Sequence, residues 1–228
     1  MPPTKLTLLL LVTAAGGCGL GGGAVKPDEM SAAQHRDEAA RENEAARQHR
    51  KGYDPEATVP GPFRPAAGAV PVPGGDNASQ PSVYNPTEVE LWRADDHRAH
   101  ARGHEKAAQA LERFEAAECI GFPPVARAAC PLLRRVSRID DIGGGVRVTF
   151  APGAPVHAVF AHMRCHYAYA RARAFEEVVS CPLYIRGIDI RRAADPLAIE
   201  ITHPDGRHAD ELRVRARQEA VYTGGSGP

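Results

Sequence analysis

Apolar positions are spread unevenly along the chain, and each change of pattern marks an element. Residues 6–17, LTLLLLVTAAGG, form one uncharged run behind a single early charge, Lys5. Residues 18–30 are a glycine-rich tether. From 31 to 52 polar residues go all the way round, so the spacing predicts a charged, solvated helix without a broad apolar face. Ser31 with Gln34 forms a capping box at its start, and Gly52 is its stop. Residues 53–86 carry closely spaced prolines, which favour extended polyproline II, exclude regular ladders and read as a disordered linker. A long helix over 87–120 follows, entered through Asn85-Pro86, with Val89, Leu91, Trp92, Ala107, Leu111 and Phe114 as its apolar positions.

The segment 121–221 alternates between two periods. Each half reads as a strand, a turn, an alternating strand and a helix. The halves, 130–166 and 181–217, look like an internal repeat. CPLLRRVSRI at Cys130 returns as CPLYIRGIDI at Cys181, and the same offset pairs Val146, Val148 and Phe150 with Leu197, Ile199 and Ile201. It also pairs His157 with His208 and Arg164 with Arg215. The expected fold is α+β: a two-layer ββαββα pseudo-duplicated domain with the long helix added, preceded by a disordered or helical N-terminal region. On the helix beginning near Val156, one stripe is Val156, Val159, Phe160, Met163 and Tyr167; a second is Ala158, Ala161, Cys165 and Ala168. A helix apolar on two sides is covered twice, here by the sheet and by the long helix. Residues 222–228 are expected to be a disordered tail.

Charge adds a limit. The 28 basic and 28 acidic side chains balance, which gives no general attraction to nucleic acid. The 22 glycines and 20 prolines cluster early, so the ordered core lies toward the C-terminus.

The first apolar run is too short for the roughly 20 residues that a spanning helix needs. A lone cation, a short apolar core and small residues are the layout of a secretory signal over 1–17. AAGGC, ending at Cys18, resembles the lipobox of bacterial lipoproteins, over residues 1–18 only; Ala15 departs from the commoner leucine. The resemblance implies cleavage before Cys18, a diacylglycerol on its sulfur, export and a membrane anchor. With Gly19 where family members held at the inner membrane often carry aspartate, the resemblance also implies the outer membrane, facing the periplasm or the surface.

With Cys18 lipidated, Cys119, Cys130, Cys165 and Cys181 remain. An even number in an oxidising compartment favours two disulfides. Three pairings are open. The local one, Cys119–Cys130 with Cys165–Cys181, is preferred, although Cys130 and Cys181 hold equivalent repeat positions. No C-x-x-C knuckle is present, which argues against a four-thiolate metal site.

Ten histidines supply the candidate chemistry. His97, His100 and His104 share one helical face, with Asp96 one turn before His100, and could hold zinc or copper through imidazole nitrogen. His162 and His166 flank Cys165, a second possible set if that thiol is reduced. His157 and His208, at matching helix starts, are candidates for a pseudo-symmetric site. No H-E-x-x-H, G-x-S-x-G or phosphate-cradling glycine loop occurs, and no catalytic residues are assigned. The expectation is a non-enzymatic envelope lipoprotein, tethered to the membrane, that binds a protein or small-ligand partner. Transition-metal binding by the helix-borne histidines is the alternative.

Overall fold

The computed structural model describes residues 26–60, 83–131, 135–176 and 180–224. Cys18 with the signal run, residues 61–82 of the expected linker 53–86 and the last four residues lie outside that range. The described ends of that linker pair at Val59–Tyr84 and Pro60–Val83, where no ladder was expected. Among the described residues no helix is long and apolar enough to cross a membrane.

The architecture is α+β. Its first part is a helical hairpin of α1 (Ala32–Gly52) and α2 (Glu88–Glu118). Both bonds of the Ser31–Gln34 capping box are present at the start of α1. Two short strands, β1 (Val59–Pro60) and β2 (Val83–Tyr84), pair antiparallel near the hairpin's connection.

The expectation of a solvated α1 is corrected here. Ala32, Ala39 and Ala46 are buried on α1, and Ala94, Ala101 and Ala108 are buried on α2. Both sets repeat every seven residues, the period that keeps one seam facing a partner helix. Small side chains let the helices approach closely, so α1 docks without any large apolar residue. Trp92 and Val89, by contrast, stay exposed. The tether expected over 18–30 also has structure at its end. Pro27–Glu29 is a 3-10 turn, and the carbonyls of Asp28 and Glu29 accept from the Arg186 guanidinium.

The second part follows α3 (Pro124–Ala128). It contains β3 (Val136–Ile142), β4 (Gly145–Phe150), α4 (Val156–Ala172), β5 (Asp189–Arg192), β6 (Ala198–Thr202) and α5 (Gly206–Gly224). The sheet is antiparallel in the order β3-β4-β6-β5. The helix α5 extends through 222–224, residues expected to begin the tail. Two glycines make the β3–β4 turn possible. Gly144 takes a left-handed φ of 76°, and a Cβ on Gly145 would sit 2.1 Å from the Ile201 carbonyl oxygen.

Strand alternation places Val146, Val148, Phe150, Ile199 and Ile201 on the inner face, packed with Met163 and Leu212. The outer face carries a row of opposite charges across all four strands: Asp140 pairs with Arg147, Arg147 with Glu200 and Glu200 with Arg191. Arg147 also makes an ion pair to Glu200 at 2.7 Å. The back of α4 meets α2 and is bonded to its end by a Cys119–Cys165 disulfide.

Candidate functional site: a thiol–imidazole group under the sheet

That disulfide overturns the local pairing of Cys119 with Cys130 and of Cys165 with Cys181. Spacing favoured neighbours in sequence, but packing α2 across α4 brings the Cα atoms of Cys119 and Cys165 to 4.5 Å. It also removes Cys165 as a soft ligand beside His162 and His166.

The other two cysteines meet each other. Cys130 follows α3, and Cys181 precedes the 3-10 turn Pro182–Tyr184, which packs into the core. Their Sγ atoms are 2.6 Å apart. The Nε2 of His166 on α4 lies 3.4 Å from Cys181 Sγ. The three ligand atoms fall within 4.8 Å of one another, so this group could hold a metal ion. Cys181 and His166 are fully buried, whereas Cys130 is half-buried. Cys130 lines a mainly apolar cleft of about 800 Å³ with Phe122, Ala129, Pro155, Val159 and His162.

The orientation of His166 follows from α3. A helix end leaves carbonyls without helical partners. His166 Nδ1–H donates to the Arg127 carbonyl at 2.6 Å, and His162 Nε2–H donates to the Ala126 carbonyl at 2.6 Å. One turn of α4 thus closes the end of α3 with two imidazoles. With its proton on Nδ1, His166 presents the Nε2 lone pair to the sulfurs, the tautomer that a metal-ligating histidine holds through such a bond. His162 turns both to this carbonyl and to stacking on Phe122, so the expected His162–His166 ligand pair does not converge.

Burial pushes the Cys181 thiol well up, and its hydrogen bond with Cys130 adds to this. Burial likewise holds His166 below its ordinary value, partly offset by the Arg127 carbonyl. A nucleophilic Cys/His pair needs the opposite shifts, a thiolate beside an imidazolium. This pair is neutral, and the chemistry open to it is sulfur–sulfur bonding or metal ligation after loss of the thiol protons.

The remaining predicted sites are dispersed. On α2, His97 Nδ1–H donates to Glu42 at 2.6 Å and His104 Nδ1 meets His35 Nδ1 at 2.9 Å. His100 is exposed, 3.9 Å from both Glu42 and Asp96. His97 and His104 therefore face α1 and His100 faces outward, so the three do not converge on a common ion. His157 and His208 are both exposed and share no contact; His208 packs its ring on His203 at 4.6 Å. Sequence reasoning did not foresee the Cys130–His166–Cys181 group. A signal was present, since the expected repeat set Cys130 and Cys181 at equivalent positions.

Compared with protein-family models, with curated proteins and with solved structures, the chain matches none.

Proposed function

We propose that this chain is a non-enzymatic envelope lipoprotein, anchored through Cys18 to the outer membrane, whose α+β domain and helical hairpin form a rigid module for a protein or small-ligand partner. The carrying observation is the fate of the four remaining cysteines. Cys119 is bonded to Cys165, and Cys130 faces Cys181. One closed disulfide, with the two free sulfurs of Cys130 and Cys181 close enough to form a second, suits an oxidising compartment. The cleft beside Cys130, apolar with Arg135 at its edge, suits a small amphipathic ligand. Mass spectrometry of the mature chain tests the reading. An acylated N-terminal Cys18 and no alkylatable thiol are expected; an unmodified N-terminus or four free thiols would overturn it.

The domain also reads as an internal duplication. Val148 pairs in the sheet with Ile199, its own equivalent at the repeat offset, and Cys130 meets Cys181, likewise its own equivalent. Contacts between equivalent residues support a two-fold arrangement of two ββα halves.

A second reading, transition-metal binding with zinc or copper, rests on the Nε2 lone pair of His166 beside two sulfurs. Zinc titration of the reduced, folded chain tests it. About one equivalent bound through the two thiolates is expected, and no binding would end this reading.

A further inference from the structure

We propose that Cys130, His166 and Cys181 form a redox-closed metal site: reduced, the group takes zinc, and oxidised, it carries a Cys130–Cys181 disulfide and takes none. This rests on the metal reading above and adds what controls it.

The geometry sits between the two states. A disulfide needs the sulfurs at about 2.05 Å, and tetrahedral zinc, with Zn–S near 2.3 Å, needs them about 3.8 Å apart. The observed 2.6 Å lies between the two. The spacing from Cys181 Sγ to His166 Nε2, 3.4 Å, is already close to the roughly 3.6 Å that tetrahedral zinc sets between sulfur and nitrogen ligands. Three protein ligands leave a fourth position, and half-buried Cys130 puts the open side toward the cleft. That side is also the route for a thiol reagent, since Cys181 is sealed.

The step balances with a low-molecular-weight disulfide as oxidant. The Cys130 thiolate attacks one sulfur of R–S–S–R, releasing RS⁻ and leaving a mixed disulfide. Cys181 then attacks the Cys130 sulfur, releasing the second RS⁻. One S–S bond is lost and one gained, two electrons pass to the reagent, and Zn²⁺ leaves with its two thiolate ligands consumed. His166 keeps its Nδ1–H on the Arg127 carbonyl throughout, so its Nε2 faces the sulfurs in both states. In reverse, two thiols RSH reduce the pair, and incoming zinc displaces both cysteine protons.

The test uses the full chain, reduced with a phosphine and shown folded by circular dichroism. It is titrated with zinc, then treated with glutathione disulfide, with released zinc and alkylation at Cys130 and Cys181 followed together. About one zinc bound when reduced, its release on oxidation, and a Cys130–Cys181-linked peptide are expected. Zinc retained after oxidation, or both thiols still alkylated, overturns the switch and leaves the metal reading standing. No zinc in the reduced folded chain overturns both. His166→Gln separates the ligand sets: it should still form the disulfide yet bind zinc about 10–100-fold more weakly, and unchanged affinity would remove His166 from the site.

Discussion

The hairpin and the sheet domain hold themselves together by different means. Under the sheet, Phe150, Met163, Leu183, Ile199, Ile201 and Leu212 fill the interior, and the polar groups there are few and tightly placed. Between α1 and α2 the buried apolar side chains are all alanine. Beside that seam runs a polar one. His35 meets His104, Glu42 meets His97, and His49 meets Glu90, each pair one heptad further along antiparallel helices. Histidine therefore plays two parts in one chain. In the hairpin it closes layers between helices at partly solvated positions; under the sheet a single buried imidazole faces two sulfurs. The lesson is that burial of large side chains fixes the domain, whereas close approach and proton placement fix the hairpin.

The contrast can be broken at several points. Cys119→Ser removes the crosslink between the two regions, which spans a separation of 46 residues. The loss should be about 4 kcal/mol, read as a lower urea midpoint; a change within error would mean that packing alone docks α2. Met163→Ala opens a cavity in the filled core and should cost about 3 kcal/mol by the same measurement. The hairpin should respond to the reverse change. Ala101→Leu overfills the seam at a cost of about 2 kcal/mol, whereas Leu at exposed Ala110 should be nearly neutral. If the two leucine variants behave alike, the alanine seam is not what sets the approach of the helices. Ser31→Ala removes the capping box, with an expected loss of about 1 kcal/mol, confined to amide exchange in the first turn of α1.

Acid should find the hairpin early. Burial, then the neighbouring His104, hold the His35 ring below its ordinary value of 6.5, against a hydrogen bond to the Pro27 carbonyl. A base whose folded value is depressed binds protons preferentially when unfolded. Its stability is full above 6.5 and declines as pH falls below that. His166, depressed mainly by burial, has the same sign. Glu90 is held below its ordinary 4.5 chiefly by the hydrogen bond from His49, so its share persists until more acid pH. Hydrogen exchange at pH 7 and pH 5.5 should show faster opening of α1 at the lower value, and His35→Gln should flatten that difference. Equal rates in the parent chain would remove the histidine layers as the cause.

Much of the fold was legible because its signals are local. The Ser31–Gln34 box, the Gly143–Gly144 turn and the Val156–Tyr167 stripe of α4 are all written within a few residues of one another. The docking of α1 was not. Alanine every seven residues is a weak apolar signal, and it becomes a face only when a second helix presents equally small residues. The cysteine pairing was hidden for a different reason. The stripe holding Cys165 pointed to cover by the long helix, but not to where along it the two would cross, so Cys119 was not matched to Cys165. His166 is aimed at the other two sulfurs by its bond to the end of α3.

The row Asp140, Arg147, Glu200 and Arg191 has a consequence for what the open side of the sheet can meet. Stripping water from four alternating ions is costly unless a visitor supplies the complementary sequence of signs at strand spacing. A greasy surface cannot do so, nor can a uniformly anionic lipid sheet. That side therefore stays wet by default.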